Sequence, residues 1–302
     1  MLRKKDGSTV PGARPADLSG TGWRAVVMRV GTSVKENNLT LVSAGVAFYG
    51  LLAIFPALTA LLSIYGLVAD PAQVQQQIGA GGGMLPPSAR QLLSSNAGGI
   101  AGPSSGVLGI GAIVGFLITL WSARKGAKAM VEALNIVYEV RETRSIFYRA
   151  GLTLLLTLAA IVVAIIALVS VVAIPAVLGY LGLGVKEELA VSAIRWPVLA
   201  VIIAASFAGL YRFAPNRRRP AWRWVGYGAA TATVLWLIAS ALFSLYVSSF
   251  ANYNKVYGAA GGIVVLLLWL FLSALIVLVG AEVNAAIEQQ VVIEADEPDT
   301  SI

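Results

Sequence analysis

The sequence predicts an all-α membrane protein with six transmembrane helices, and three observations carry that prediction. The 302 residues are 58% hydrophobic and only 12% charged, with a mean hydropathy of +0.79, whereas a soluble domain has about 25% charged residues. Six apolar stretches come close to the ~20 residues that a bilayer-spanning helix needs. The 22 Lys and Arg residues gather in alternate connections between those stretches, as in multi-pass proteins.

The six stretches follow one another with polar connections. The second is the shortest, because only 15 apolar or small residues precede Arg124. This stretch spans the membrane if the helix continues and its basic residues snorkel to the headgroups. Otherwise it is a re-entrant or interfacial segment. The first begins only at Leu39 without a cleavage pattern, so no signal peptide is predicted. The predicted spans are about 39–69, 107–123, 151–183, 193–211, 225–250 and 258–281.

The distribution of basic residues predicts the orientation. Residues 1–38, 122–150 and 212–224 hold 18 of the 22 Lys and Arg residues, and the other connections hold four. Under the positive-inside rule both termini are therefore cytoplasmic. The net charge of +7 needs no nucleic acid as a partner, because the basic residues lie at helix ends and not among aromatics on a soluble face.

Two segments outside the membrane domain (39–287) complete the predicted organisation. In the cytoplasmic arm 1–38, the segment 21–36 has one narrow apolar stripe on a helix. That pattern predicts a helix lying in the plane of the inner leaflet, with a partner-docking helix as the alternative. The stripe consists of Trp23, Val26, Val27, Val30 and Val34. Residues 288–302 form an acidic cytoplasmic tail.

Two residue types are missing from the chain, and their absence excludes several chemistries. Without Cys there is no disulfide, thiolate metal site or thiol nucleophile. Without His there is no imidazole base or His-based triad, and the usual zinc site is lost. The sequence contains no Gly-rich loop ending in Lys-Ser/Thr, so no nucleotide-binding site is predicted. We therefore predict a protein that is not an enzyme and has no catalytic residue, metal or cofactor.

The first span carries three candidate substrate-path residues, Ser43, Tyr49 and Pro56. Small residues four positions apart around Ser43 allow a close helix approach. Pro56 frees a backbone carbonyl one turn earlier, which a neighbouring group or a hydrated cavity must satisfy. The alternative is a packing seam with a kink, since Gly and Pro are common in transmembrane helices.

The sixth span adds four more candidates, and it contains the most informative acidic residue. Asn252 and Tyr253 precede the apolar run, and Glu282 and Asn284 end it. A carboxylate at that place is costly unless it is paired or hydrated, which makes Glu282 a functional candidate. In the alternative interpretation, Glu282 lies at the headgroup level and forms a salt bridge to Arg124, Lys125 or one of the residues 217–219.

Three motifs resemble the YihY/virulence factor BrkB family of membrane proteins. The closing motif combines Tyr257-Gly258, Leu268-Trp269-Leu270 and Gly280-Ala-Glu-Val-Asn-Ala285. The segment 44–56 (AGVAFYGLLAIFP) is similar to the family's opening motif, and 133–138 (ALNIVY) to the segment after its second span. The matches run in order from about residue 38 to 288. Ala53 stands where the family commonly has Ser, so no hydroxyl role is expected there.

The resemblance implies a six-helix inner-membrane bundle with both ends cytoplasmic, which agrees with the charge count. It also implies a role in envelope biogenesis and the movement of phospholipid. Members of the family have often been labelled ribonuclease BN. Metal-dependent phosphodiester hydrolysis needs clustered His or acidic ligands, and this chain has neither, so we expect no ribonuclease activity.

The resulting functional hypothesis is a transporter that handles phospholipid in a groove between the first, fifth and sixth spans. Membrane lipids are the expected partners, with envelope proteins as further ones. The alternatives are an ion or small-solute transporter and a non-transporting scaffold. The basic residues expected to bind lipid headgroups on the cytoplasmic side are Arg124, Lys125, Lys128, Arg217, Arg218 and Arg219.

Overall fold

The computed structural model describes residues 15–68, 107–168, 185–218, 220–249 and 254–295, and the long elements within these ranges are all α-helices. The ranges contain no β-strand. A short 3-10 helix, Pro15–Asp17, precedes them. The helices are α1 (Gly20–Glu36), α2 (Leu39–Val68), α3 (Val107–Val137), α4 (Ile146–Leu168), α5 (Val185–Phe213), α6 (Trp222–Ser249) and α7 (Asn254–Glu294).

Four of the described helices are long and apolar enough to cross a membrane. The apolar spans are Ile146–Ala167, Trp196–Phe213, Trp222–Val247 and Gly261–Glu294. A fifth results if α1 and the start of α2, which meet at 64°, count as one broken span. The all-α membrane class predicted from composition is thus confirmed, and the six-span count and the cytoplasmic termini stay predictions.

The chain divides into two compact units. One comprises residues 1–51 and 126–302, and the other comprises residues 52–125. Within the smaller unit, the guanidinium of Arg124 lies 3.4 Å from the centre of the Trp121 ring, a cation–π distance. All packing described below lies in the larger unit.

Helix α1 begins at a serine cap and ends at a sharp turn. The Ser19 hydroxyl accepts a hydrogen bond from the Gly22 N–H at 2.9 Å, which satisfies one of the free donors of the first helical turn. Asn38 follows with a φ of 49°, a left-handed conformation that asparagine tolerates better than most residues. This turn stops α1 and lets α2 leave in a new direction.

The apolar stripe of α1 packs against the last turns of α7. Val26 is buried in one cluster with Ile287 and Val291, and Trp23 and Val30 pack against that cluster. Val27 is 69% exposed and remains available for the predicted contact with a membrane surface. The sequence pattern does not predict that the stripe docks on α7, because the last turns of α7 lie near the other end of the chain.

The main core surrounds α7. Helix α7 packs along α6, and α5 also packs against α6. The large buried residues of the core include Leu134, Tyr211 and Leu278. Away from this core the helices expose Val201, Leu242 and Val264 by more than 60%, which suits surfaces solvated by lipid tails.

Hydrogen bonds and ion pairs join four segments at one end of the bundle. They are the turn after α1, the connection between α3 and α4, the connection between α5 and α6, and the last part of α7. We call this region the basic end, because the two connections carry most of the arginines described below.

Candidate functional site

The closing motif of α7 lies at a crossing where the backbones of α6 and α7 come into close contact. A Cβ atom added to Gly228 on α6 would overlap the Gly280 carbonyl oxygen and meet the Asn284 side chain at 2.5 Å. A Cβ added to Gly280 would meet the Tyr211 hydroxyl at 2.5 Å and the Ala232 methyl at 2.7 Å. Only glycine fits at both positions, which brings the two backbones into contact.

Asn284 closes this crossing with hydrogen bonds to α6. Its Oδ1 accepts from the Gly228 N–H at 2.7 Å, and its Nδ2 approaches the Val225 carbonyl at 3.5 Å. Close to Gly280, the Tyr211 hydroxyl donates to the Val277 carbonyl at 2.8 Å. Asn284 is fully buried. We call Gly228, Gly280 and Asn284 the glycine seam, a site whose polar groups are consumed by helix packing.

Glu282 faces the turn after α1. Its Oε1 accepts a hydrogen bond from Asn37 Nδ2 at 2.7 Å, and the residue is only 3% exposed. Of the basic residues considered as its salt-bridge partners, Arg217 pairs with a different acid, and Arg219 lies outside the described residues. Glu282 thereby joins α7 to the elbow between α1 and α2.

Arg217 pairs with Glu288, one turn and a half further along α7. Its Nη1 donates to Glu288 Oε2 at 2.6 Å, and both side chains are about 15% exposed. The guanidinium also lies 3.8 Å from the centre of the Tyr138 ring. Burial raises the pKa of Tyr138, so the ring stays neutral and offers its π face to the cation.

A second network joins the connection after α3 to the connection after α5. Asn135 Oδ1 accepts from the Asn216 N–H at 2.8 Å, and Asn135 Nδ2 donates to Glu142 at 3.0 Å. Arg144 binds Glu142 through two nitrogens and donates to the Ala214 carbonyl at 2.9 Å. The hydrogen bond from Arg144 lowers the pKa of Glu142 to about 2, so this carboxylate stays charged at physiological pH.

A groove of about 530 Å³ lies beside the elbow between α1 and α2. One part of its wall is polar, and the other is apolar and shared with α7. The lining residues are Val34, Lys35, Asn38, Thr40, Leu41, Ala44 and Phe271. We call it the elbow groove; it is open to the outside, because Lys35, Leu41 and Ala44 are exposed.

The predicted substrate-path residues fall into separate environments. Ser43 is fully buried on α2, and its hydroxyl has no hydrogen-bond partner. Tyr49, on the same helix, is 46% exposed. Pro56 falls within α2, and its side chain lies outside the described residues. Asn252 and Tyr253 also lie outside them. Glu282 and Asn284 are close in sequence but face different partners.

The predicted headgroup-binding residues are also divided. Lys128 is half-exposed and forms an ion pair with Glu132 one turn away, at 3.8 Å, which contributes little to stability. Arg218 is exposed. Arg124 and Lys125 belong to the smaller unit, and Arg219 lies outside the described residues. Of this set, Arg217 is the residue that the structure places in a buried network.

Sequence reasoning missed the partners of these residues. Asn37, Glu288 and Asn216 each contact a group more than 70 positions away in the chain. Their shared signal is weak: each is a polar residue close to an end of a predicted helix. That signal can nominate positions, but it does not say which of them meet.

These features define a multi-pass helical membrane protein whose polar side chains interlock at one end. A family model described as "Virulence factor BrkB" matches residues 30–301, and the chain therefore belongs to the virulence factor BrkB family. The resemblance drawn from the three motifs is confirmed.

Two relatives match along most of the chain. A ribonuclease-like protein, YfkH of Bacillus subtilis, is 35% identical over 82% of this chain and 90% of its own length. A UPF0761 membrane protein of Vibrio parahaemolyticus is 32% identical over 82% of this chain and 78% of its own length. A UPF0761 membrane protein of Idiomarina loihiensis matches a shorter part of the chain. It is 37% identical over 32% of this chain and 34% of its own length. No solved structure matches the chain.

Proposed function

We propose that the protein is a phospholipid-handling transporter of the bacterial inner membrane that serves envelope biogenesis. The elbow groove carries this proposal, because its wall changes from polar to apolar as the surface of a phospholipid does. Lys35, Asn38 and Thr40 can bind a headgroup, and Leu41 and Phe271 can contact the first part of an acyl chain. In this proposal both termini are cytoplasmic and membrane lipids are the partners.

The position of the groove supports this function. It joins α1, α2 and α7, and Glu282 holds the same elbow through Asn37. Next to it on α2, the rings of Phe48 and Tyr49 are 52% and 46% exposed. A lipid can therefore enter from the side, because an exposed apolar flank leads to the groove. Glu282 acts in this proposal by setting the angle of the elbow.

The proposal assigns no enzymatic activity to the chain. The name of the Bacillus relative raises ribonuclease activity, which metal-dependent enzymes perform with clustered His or acidic ligands. The chain has no His and no Cys, and among the described residues no three potential ligands of that kind come together. The residue chemistry favours lipid handling over phosphodiester hydrolysis.

Proteoliposomes containing the full-length protein and a fluorescent phospholipid test the proposal. We expect the wild type to speed transfer of the label between leaflets, and Ala44→Phe, which fills the groove, to lower that rate at least about fivefold. Gly45→Phe is the matched control, because a Cβ at Gly45 meets no atom within 4 Å and the residue does not line the groove. No transfer by the wild type would contradict the transport function, and equal rates for the two variants would exclude the elbow groove as the path.

A further inference from the structure

A second cavity, of about 410 Å³, lies between the start of α4 and the end of α5. Three of the side chains that line it are arginines, and none is Asp or Glu. The polar lining residues are Arg144, Ser145, Tyr148, Arg212, Asn216 and Arg217. We call it the arginine cavity. It lies at the basic end and shares no lining residue with the elbow groove.

Arg212 brings a charge to this cavity that no carboxylate compensates. Within the described ranges it forms no ion pair, and its Nε is buried without a hydrogen-bond partner. Its guanidinium lies 4.5 Å from the centre of the Trp222 ring, which holds the group in place but accepts no hydrogen bond. A buried N–H without an acceptor is costly, so Arg212 leaves an unsatisfied donor and an unpaired charge at the wall of the cavity.

Arg217 has two further donors of this kind. Nη1 is taken by Glu288, but Nε and Nη2 are buried and have no hydrogen-bond partner. Because a guanidinium presents its donors as a planar fork, the two free nitrogens of Arg217 can bind one further anionic group. Arg212 and Arg217 together thus leave three buried donor nitrogens unsatisfied at one cavity.

Arg144 has a different role in the same wall. Its Nε and Nη2 are engaged by Glu142 and by the Ala214 carbonyl. That network fixes the connection before α4 against the end of α5, so the cavity keeps its shape without a ligand. Ser145, whose Oγ accepts the Tyr148 N–H at 3.3 Å, starts α4 and adds a hydroxyl donor at the positive end of a helix.

We propose that the arginine cavity binds a phosphate group. Phosphate offers enough acceptor oxygens to satisfy the forks of two arginines at once, and such charge-assisted bonds are the strong ones. The volume exceeds that of a lone phosphate and leaves room for the alcohol attached to it. The group can come from a lipid headgroup or from a soluble phosphate. The site stands apart from the proposed lipid path, since it rests on other residues.

The test titrates the purified full-length protein in detergent with phosphatidic acid, and in parallel with diacylglycerol, the same lipid without phosphate. Native mass spectrometry reads the bound fraction, and calorimetry with inorganic phosphate reads the soluble source. We expect phosphatidic acid to bind at least about tenfold more tightly than diacylglycerol, and Arg212→Gln to remove most of that difference. Arg223→Gln is the matched control, because Arg223 is an exposed arginine at the basic end that does not line the cavity; we expect a change below twofold.

The outcomes separate the sources and the site. Binding of phosphatidic acid alone, sensitive to Arg212→Gln, supports a lipid headgroup, whereas sensitive binding of inorganic phosphate supports a soluble ligand. Equal effects of Arg212→Gln and Arg223→Gln would overturn the proposal, as would equal binding of phosphatidic acid and diacylglycerol with no binding of phosphate. A failure of transfer in the Ala44→Phe experiment leaves these results unchanged, so the two proposals fail independently.

Discussion

The glycine seam joins α6 to α7, whereas the arginine cavity lies between the start of α4 and the end of α5, and the two regions treat their polar groups in opposite ways. In the seam, Asn284 is fully buried and its Oδ1 accepts the Gly228 N–H at 2.7 Å. In the cavity, Arg212 and Arg217 keep buried nitrogens without a partner. The first region has no room for another atom, and the second is open and has no Asp or Glu side chain in its lining.

The difference shows which polar residues of this family member serve packing and which are available to a ligand. Motif residues of α7 that stand out in the sequence, such as Gly280 and Asn284, hold two helices together. The less conspicuous Arg212, in the last turn of α5, and Arg217, in the connection that follows, have unsatisfied donors. A functional assignment from the most recognisable motif alone would therefore select the packing region.

The largest effect is expected when the seam is opened. Gly228→Ala places a methyl group against the Gly280 carbonyl and the Asn284 amide, both of which are held by packing. We expect a loss of about 3 kcal/mol in the free energy of unfolding, because the backbone must shift. Thermal unfolding in detergent micelles measures it.

Gly226→Ala on the same helix is the control. A Cβ there meets no atom within 4 Å, so the variant should be as stable as the wild type or up to about 1 kcal/mol more stable. A similar melting temperature for Gly228→Ala and Gly226→Ala would show that the seam is looser than described, and the contrast with the cavity would be lost.

The next effect concerns Glu282, which joins α7 to the elbow between α1 and α2. Glu282→Leu leaves the Asn37 amide without its acceptor, and we expect the elbow to open more often. Hydrogen exchange of the α1 amides should rise about tenfold, since an unpaired buried donor costs roughly 1–3 kcal/mol.

Glu282→Gln separates a structural from a proton-carrying role. Its amide oxygen can still accept from Asn37, so we expect α1 exchange within about twofold of the wild type and unchanged lipid transfer. If Glu282→Gln stops transfer while α1 exchange is normal, the carboxylate acts chemically and the structural assignment is wrong.

Sequence reasoning reached the fold class and the family, because both depend on local patterns. The apolar stripe at 21–36 and the observed α1, Gly20–Glu36, show how well a helical period and a serine cap locate an element. The site is different. Glu282 meets Asn37 across 245 positions, and neither periodicity nor charge counting carries information about that pairing.

The glycines show the same limit from another side. Gly280 belongs to a motif and Gly228 does not, yet a Cβ on either one would meet the backbone carbonyl oxygen of the other. Gly226 and Gly228 are indistinguishable by composition, and only the crossing of α6 and α7 shows that one of them is replaceable. Spatial neighbours, and not residue type, decide which positions matter.

A third and smaller effect tests the network that shapes the wall of the cavity. The pKa of Glu142 is held at about 2 by Arg144, below its usual 4.5. The ion pair thus contributes stability above about pH 4.5, and this contribution is lost as the pH falls toward 2. We expect Glu142→Gln to cost about 1–2 kcal/mol at pH 7, because solvent screens part of the interaction.

The difference between Glu142→Gln and the wild type should shrink between pH 4.5 and pH 3, because there the carboxylate of the unfolded chain binds a proton while the folded protein still holds it ionised. Unfolding curves measured at several pH values show this directly. Glu132→Gln is the control, since Glu132 is 50% exposed and its loss should cost less than about 0.5 kcal/mol. A constant difference across this range would mean that Glu142 does not hold its charge through Arg144.

The smallest effect on the unliganded protein is expected at the cavity itself. Arg212→Gln removes a cation–π contact with Trp222, worth about 0.5–1 kcal/mol, but also removes an uncompensated charge, so stability should change by less than about 1 kcal/mol.

The contrast between the cavity and the seam appears when phosphate is added. A ligand that binds only the folded state stabilises it by RT ln(1 + [L]/Kd), about 2.7 kcal/mol at one hundred times Kd. Phosphate should therefore raise the melting temperature of the wild type, above an equal ionic strength of chloride, and leave Arg212→Gln unchanged. A variant that loses stability without phosphate, as a seam variant does, would place Arg212 among the packing residues and remove the distinction between the two regions.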